Sequence, residues 1–193
     1  FIDPSDETQL IFGLSPTADT IEDFTRFENI SNEPLKNGDL IEICPSLAQI
    51  TQTLAQRFSD DPGRALFIDY GPDYSEIGDT LQALKSHTKV DPLSEPGDAD
   101  LTARVDFSAL SDCAYYNGLM SFGPQTQAHF LAQLGIEARA ARLALDATEE
   151  AKATLMRQFH RLTESSEMGE LFKAVCLQPQ GLPMPAGFSP ERS

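Results

Sequence analysis

The chain has 193 residues, enough for one domain, or the larger part of one, with a sizeable core. Thirty acidic residues against 14 basic ones give a formal net charge of −16, which opposes binding to nucleic acid or to anionic lipid and suits a basic protein partner. No apolar run approaches the roughly 20 residues of a membrane span, so we expect a soluble chain.

The residue types that bind metals are poorly placed for that purpose. The three histidines have no acid or cysteine at ligand spacing, so no metal site is expected. The three cysteines are widely spaced in apolar surroundings, which predicts buried thiols in a reducing compartment. The chain begins with Phe1 rather than Met, which favours a truncated part of a longer protein.

The first elements in chain order are weakly patterned. Residues 9–14 predict a short strand, and residues 1–38 as a whole are interpreted as an insertion or sheet-entry segment, with apolar residues recurring at Ile21, Phe24, Phe27 and Ile30. Residues 40–43 predict a short strand. Residues 46–58 predict a helix capped by Ser46, because apolar residues recur there at spacings of three and four.

Residues 65–71, Ala-Leu-Phe-Ile-Asp-Tyr-Gly, form the most informative stretch. A continuous apolar run predicts a strand buried on both faces, as in parallel sheets covered by helices. Asp69 lies at the carboxyl end of that strand, where ligands bind in open α/β sheets, so it is a candidate site residue. The alternative is a plain strand followed by an Asp-Tyr-Gly turn.

The rest of the chain alternates loops, helices and strands. Residues 71–104 contain many glycines and prolines and few apolar residues, which predicts a long loop over the site, with His87 its candidate functional histidine. The remaining predicted elements are a helix from cap Asp106 to about 117, a strand at 119–122, a helix from Gly123-Pro124 to Gly135, helices at 136–145 and 147–163, a strand at 171–177 and a tail at 179–193.

An acidic stretch joins the loop to the next helix. Residues 96–107 contain Asp98, Asp100, Thr102, Arg104 and Asp106. Asp106 is a plausible helix cap, and Arg104 could neutralise Asp98 or Asp100. The same carboxylates could instead receive a guanidinium or ammonium group. No glycine-rich phosphate loop or Gly-x-Ser-x-Gly elbow occurs in the sequence, so it assembles no complete cofactor or hydrolase site.

Several of these segments together resemble one family. The ordered motifs are Ala-Leu-Phe-Ile-Asp-Tyr-Gly at 65–71, Gly-Asp-Thr-Leu-Gln-Ala at 78–83, Asp-Pro-Leu at 91–93 with Pro-Gly at 96–97, Ala-Asp-Leu-Thr-Ala-Arg-Val-Asp-Phe at 99–107, Gly-Pro-Gln-Thr-Gln at 123–127, Phe-Leu-Ala-Gln-Leu-Gly-Ile at 130–136, and Met-Gly at 168–169 before Phe-Lys at 172–173. Their order and spacing resemble the MidA family of S-adenosylmethionine-dependent methyltransferases, which includes a mitochondrial complex I assembly factor with protein-arginine methyltransferase activity. The family commonly has His after Asp-Tyr-Gly, whereas this chain has Pro72.

The resemblance implies an α/β fold. It would be a partial class I, Rossmann-like methyltransferase sheet, with the last three core strands, flanking helices and an insertion at the start. Residues 39–178 would be the carboxyl-terminal part of the methyltransferase domain and residues 179–193 a tail. The cofactor would be S-adenosylmethionine, but the family's glycine-rich loop, ribose-binding acid and main acidic segment precede the region present. Cofactor-binding residues in this chain are therefore unknown.

The resemblance and the acidic stretch together give the candidate site residues. The candidate catalytic residues are Asp69, Asp100 and Asp106. The candidate substrate-binding residues are Tyr70, Gly71, His87, Thr102, Gly123, Pro124 and Gln127. A guanidinium acceptor would be held by carboxylates, and the loop at 71–104 would close over it and exclude water.

The expected function is that of the carboxyl-terminal portion of a protein-arginine methyltransferase linked to respiratory complex I assembly. Its partners would be a basic or arginine-containing protein, a complex I subunit being one candidate, and the missing amino-terminal half. The alternative is a non-catalytic assembly or scaffold subunit derived from the same fold. Strong acidity favours the bacterial cytoplasm, with the mitochondrial matrix as the alternative location.

Overall fold

The computed structural model describes residues 2–13, 36–94 and 96–188. The strands there are β1 Ile2–Asp3, β2 Asp6–Leu10, β3 Ala65–Tyr70, β4 Gln82–Lys85, β5 Thr88–Val90, β6 Asp100–Thr102, β7 Leu119–Thr126 and β8 Phe172–Pro179. The helices are α1 Ser46–Asp60, α2 Phe107–Tyr116, α3 Gln127–Gln133, α4 Ile136–Ala144, α5 Glu149–Thr163 and α6 Met168–Leu171. The apolar positions predicted at Ile21, Phe24, Phe27 and Ile30 lie outside the described residues.

The chain divides into two units, and their boundaries fall between elements. Unit 1 contains Phe1–Ile43 and Glu76–Arg104, and unit 2 contains Cys44–Ser75 and Val105–Ser193. In unit 1, β1 pairs with β2, and a three-stranded antiparallel sheet has the order β5-β4-β6. Unit 2 contains a three-stranded sheet in the order β3-β8-β7 and all six described helices.

In the sheet of unit 2, the carboxyl ends of two strands lie at the same edge. Both β3 and β7 run antiparallel to the central strand β8, so they run parallel to each other. Their carboxyl ends therefore lie at the same edge, on either side of the beginning of β8. This edge is where the sequence predicts a site.

Each face of this sheet carries its own apolar cluster. On one face, Val175 and Leu177 pack with Phe107 and Leu110 of α2 and Phe58 of α1. This packing explains the apolar spacing that predicts both helices. On the other face, Ala174 and Cys176 pack with Phe130 of α3 and with Phe188. Phe188 is 7% exposed, so the predicted tail packs onto the sheet at least as far as this residue.

Strand β3 contradicts one prediction, because it is buried on one face only. Phe67 packs against the cluster formed with α1 and α2. Leu66 and Ile68, on the opposite face, are 50% and 43% exposed. The described residues that cover this face, Phe130 and Phe188, pack over β8 rather than over β3.

The predicted loop at 71–104 is also wrong in part, because β4, β5 and β6 lie within it. Strands β4 and β5 form a hairpin closed by Ser86 and His87, both with positive φ. These short strands and this turn lack the Asn-Gly or Asp-Gly signal that usually marks a two-residue hairpin. Residues 40–43 form no strand. The Leu40 carbonyl accepts one hydrogen bond from the Gly78 amide (2.8 Å) instead of joining a ladder.

Two predicted starts of helices are misplaced. Gly123 and Pro124 lie within β7, and α3 begins only after cap Thr126. A bulge at 122–125 lets β7 continue past the proline, so the proline marks a sheet irregularity and not a helix start. Helix α1 covers the predicted residues 46–58 and continues to Asp60, but its cap position is Pro45 and not Ser46.

The cysteines differ in burial. Cys44 is exposed, Cys113 is half-buried and Cys176 is buried, so the prediction of buried thiols holds fully for Cys176 alone. Burial raises the pKa of the Cys176 thiol, and the positive charge of Arg64 acts in the opposite direction. Within the described ranges, no helix combines the length and apolar character that crossing a bilayer would require.

Candidate functional site at the edge of the sheet

The register of the sheet brings three polar residues together at the predicted edge. Lys173 of β8 lies opposite Asp69 of β3 on one side and opposite Thr126 of β7 on the other. Directly opposed residues of antiparallel strands project to the same face. Asp69 and Thr126 are far apart in sequence, yet one residue of β8 separates them in the sheet.

Asp69 is an exposed carboxylate at this edge. Its Oδ1 accepts a hydrogen bond from the Tyr70 amide (2.8 Å). The Lys173 ammonium donates to the carbonyl oxygen of Glu170 (2.6 Å), and in the described part of the chain it forms no ion pair with Asp69. The Asp69 carboxylate can therefore accept further hydrogen bonds from a ligand, which suits the binding of a cation.

Tyr70 and Gly71 form the connection that follows Asp69. The Tyr70 ring packs against Phe172 with centroids 5.7 Å apart. The Val105 amide donates to the Tyr70 carbonyl (3.0 Å), and the Gly71 amide donates to the Leu171 carbonyl (3.3 Å). A Cβ on Gly71 would overlap the carbonyl oxygen of Val105. The glycine is thus required by a close backbone approach.

Asp106 is held by the fold through both carboxylate oxygens. Oδ1 accepts from the Ala109 amide (2.7 Å) and caps α2, as the sequence predicts. Oδ2 accepts from the hydroxyl of the buried Ser75 (2.6 Å). These contacts favour the capping interpretation of Asp106 over a catalytic one.

Gly123, Pro124 and Gln127 lie near the end of β7, at the same edge as Asp69. A Cβ on Gly123 would overlap the carbonyl oxygen of Ala174, so this glycine also serves a close backbone approach. Gln127 is buried, and its Nε2 donates to the carbonyl of Leu162 (2.8 Å). The side chain of Gln127 therefore links α3 to α5 and is engaged by the fold.

Asp100, Thr102 and His87 belong to the small sheet of unit 1. Asp100 and Thr102 lie on the outer strand β6, opposite Leu84 and Gln82 of β4. His87 is exposed in the β4–β5 turn. The predicted site residues thus fall into two groups, one in each unit.

The charged residues near β6 pair differently from the prediction. Arg104 contacts both carboxylate oxygens of Glu76 (3.0 and 3.1 Å), and Asp98 pairs with Lys85 (3.7 Å). These pairs span separate segments of unit 1, and sequence spacing alone carries no signal for them. A polar cavity of about 360 Å³ in this unit is lined by Glu76, Ile77, Gly78, Asp79, Thr80, Gln82, Lys89 and Arg104.

Sequence reasoning also missed Lys173 and Ser75. Lys173 is one residue inside β8, and only the strand order shows that it lies between Asp69 and Thr126. Ser75 is buried within a stretch that reads as a loop. Within the described ranges, no three His, Cys, Asp or Glu side chains lie close enough together to hold a metal ion.

The described edge does not fit a nucleoside cofactor. A cofactor of this kind is usually cradled by the amides of a glycine-rich loop after a strand. Here the loop motif is missing from the sequence, and the amides after β3 are engaged: those of Tyr70 and Gly71 donate to Asp69 and Leu171. The amides that follow β3 are therefore not available to cradle such a cofactor.

Comparison with known proteins defines the family to which the chain belongs. Residues 2–125 match the family described as "Putative S-adenosyl-L-methionine-dependent methyltransferase". The chain belongs to this family, as the sequence resemblance predicts.

Curated relatives extend the match over most of the chain. The mouse protein named protein arginine methyltransferase NDUFAF7, mitochondrial, is 36% identical over 180 residues, which cover 92% of this chain and 39% of the mouse protein. The human protein of the same name is 35% identical over 92% of this chain and 38% of its own length. The chain thus spans about two-fifths of the length of these relatives.

Solved structures confirm the predicted fold class, a partial Rossmann-like methyltransferase fold. A crystal structure from Burkholderia thailandensis matches with a TM-score of 0.62 and 27% identity, over 72% of this chain and 38% of that one. A second from the same organism, bound to S-adenosyl-homocysteine, matches with a TM-score of 0.59 and 27% identity, over 72% of this chain and 37% of that one.

Proposed function

We propose that residues 1–193 form the carboxyl-terminal, acceptor-side part of an S-adenosylmethionine-dependent protein-arginine methyltransferase. The observation that carries this proposal is the exposed carboxylate of Asp69 at the sheet edge, in a chain 36% identical to a relative named as an arginine methyltransferase. The whole protein would bind the cofactor through residues outside this chain.

The chemistry of the arginine side chain, which would accept the methyl group, explains why a carboxylate belongs at this edge. A guanidinium is a planar cation with five N–H donors, and a carboxylate binds it through charge-assisted hydrogen bonds. Asp69 would hold and orient this group, while Lys173 stays directed to the Glu170 carbonyl. Within unit 1, Asp100, Thr102 and His87 are proposed as contacts for basic protein segments, which the net charge of −16 would attract.

The cellular setting belongs to the same proposal. Family resemblance supports a role in respiratory complex I assembly, with a complex I subunit as one candidate substrate. The animal relatives are named mitochondrial. The strong acidity of this chain favours the bacterial cytoplasm, and the mitochondrial matrix is the alternative.

The decisive experiment uses the complete enzyme with Asp69→Asn. Hydrogen bonds to charged groups contribute about 1.5–3 kcal/mol, so we expect methylation of an arginine peptide to fall by roughly 10- to 100-fold. Thermal unfolding should change little, because the Asp69 side chain is exposed and, among the described residues, its carboxylate accepts a hydrogen bond only from the Tyr70 amide. Product is measured by mass spectrometry, and a matched lysine peptide should stay unmodified.

Asp146→Asn is the matched control, because it makes the same charge change at an exposed position beyond α4. We expect it to keep normal turnover. If the wild-type enzyme methylates no arginine peptide, the scaffold interpretation replaces the proposal. If Asp69→Asn unfolds the protein, Asp69 is structural instead.

A further inference from the structure

A half-open apolar pocket lies between helices α3, α4 and α5 of unit 2, and it contains none of the residues assigned to the edge site. Its volume is about 370 Å³, which is in the range of pockets that bind small molecules. Among its described lining residues, the walls are aliphatic apart from Phe159, and only Arg139 and Gln158 have polar side chains. The pocket is therefore a hydrocarbon surface with one charged and one amide group.

The pocket is formed by the apolar faces of α4 and α5. The lining residues recur at spacings of three and four on each helix: Ile136, Ala140 and Leu143 on α4, and Leu155, Phe159 and Leu162 on α5. A surface helix normally buries such a face. Here no residue of either helix is fully buried, and Leu143 is 51% exposed. The two faces thus line an accessible pocket instead of a closed core.

The polar groups of the pocket determine which head group fits. Arg139 carries five N–H donors and no acceptor, and the Gln158 amide supplies further donors. Within the described part of the chain, Arg139 forms no ion pair. A carboxylate matches the planar guanidinium with two parallel hydrogen bonds. The polar end of a ligand here is therefore expected to be a carboxylate.

The charge of this region differs from that of the whole chain. Residues 136–163, which include α4 and α5, contain five basic and four acidic side chains, whereas the chain has 14 basic and 30 acidic ones. The excess of negative charge thus lies outside this pair of helices. An anion is repelled less here than elsewhere on the chain.

The aliphatic walls determine which ligand body fits. A nucleoside or a peptide would bring polar groups that these walls cannot pair, and burying such groups is unfavourable. An unbranched hydrocarbon chain brings no such groups, and its burial is favourable.

We propose that the pocket between α3, α4 and α5 binds a fatty carboxylate, with the hydrocarbon chain against the aliphatic walls and the carboxylate on Arg139 and Gln158. The ligand contacts both α4 and α5, so it stabilises their packing. This binding is separate from methyl transfer and does not rest on the proposed function.

Calorimetric titration of the complete protein with decanoate, below the concentration at which decanoate forms micelles, tests the proposal. We expect saturable binding of one molecule per chain. Because each buried methylene adds to the affinity, binding should tighten by about fourfold per methylene from octanoate to decanoate.

Arg139→Gln removes the charge and keeps a polar side chain. We expect this variant to bind decanoate at least about tenfold more weakly and to bind uncharged decanol within about twofold of the wild type. Arg142→Gln is the matched control, because it makes the same charge change on the same helix at an exposed residue outside the lining. It should bind decanoate within about twofold of the wild type.

Leu143→Ser tests the apolar walls with little risk to the fold, because this side chain is half-exposed. It should weaken the binding of decanoate and decanol alike, and thermal unfolding without ligand checks that each variant is folded. The proposal is overturned if decanoate does not bind saturably, if Arg139→Gln and Arg142→Gln have equal effects, or if folded Leu143→Ser binds normally.

Sedimentation of the same samples separates a second occupant of the pocket. Self-association that excludes decanoate would show that a second copy of the chain covers the pocket, and it would also overturn the proposal. A protein that binds decanoate but transfers no methyl group would refute the proposed function and leave the fatty-carboxylate pocket standing.

Discussion

At the scale of single residues, the edge site is built on backbone contacts as much as on side chains. The connection after Asp69 is fixed by the hydrogen bonds of Tyr70 and Gly71 with Val105 and Leu171. Gly71 allows the close approach to Val105 that places the start of α2 beside the end of β3. The position of Asp69 therefore depends on a glycine that need not contact any substrate.

We predict that Gly71→Ala costs about 2–3 kcal/mol in the free energy of unfolding, because its Cβ would overlap the Val105 carbonyl and force the backbone apart. Gly118→Ala is the control. Gly118 also has positive φ but has no atom within 4 Å of a built Cβ, so only the conformational cost of about 1 kcal/mol is expected. Urea unfolding measures both, and equal losses would contradict the close-approach argument.

At the scale of elements, the sequence predicts the three strands of the unit 2 sheet and five of the six described helices, but it misplaces the start of α3 and misses the short helix α6. Helices α1, α2 and α5 follow from apolar spacing and, for α2, from its Asp cap. The small sheet of unit 1 escapes prediction because its strands are three or four residues long and its turn uses Ser86 and His87. Pairing between such short strands is set by distant contacts, not by local pattern.

The candidate site is also predictable from the sequence only in part. Asp69 follows from the end of an apolar run, a purely local signal. That it shares an edge with Thr126 requires the order β3-β8-β7, which local sequence does not contain. The capping role of Asp106 is also a local signal, but its contact with Ser75 is made across 31 residues and has no local signal.

The cap of α2 gives a prediction at this scale. Asp106→Ala removes the acceptor for the Ala109 amide and leaves the buried Ser75 hydroxyl without that partner. We expect a loss of about 2.5–4 kcal/mol, since a cap contributes about 1 kcal/mol and a hydrogen bond to a charged group about 1.5–3 kcal/mol. Thr148→Ala, the exposed cap of α5, should cost only about 1 kcal/mol. Thermal unfolding of both variants measures these losses of stability. Similar losses would show that the Ser75 contact contributes little.

At the scale of the whole molecule, the two units differ in how much apolar surface they bury. In the described residues, unit 1 buries one hydrophobic side chain fully, Ala83, whereas the remaining fully buried hydrophobic residues belong to unit 2. Unit 1 relies instead on polar contacts: Glu42 accepts from both the amide (3.0 Å) and the hydroxyl of Thr80, and Glu76 pairs with Arg104. Few buried contacts imply low local stability.

We therefore predict that the amides of β4–β6 exchange with deuterium at least about tenfold faster than those of β8. Glu42→Ala should speed exchange in β4 further, because Thr80 loses its acceptor for both groups, while β8 should keep its protection. Glu149→Ala is the control, since it removes only an exposed pair with Lys152 in unit 2 and should leave unit 1 unchanged. Hydrogen exchange followed by mass spectrometry measures all three proteins. Equal protection of β4 and β8, or loss of protection in β8 upon Glu42→Ala, would show that the two units open together.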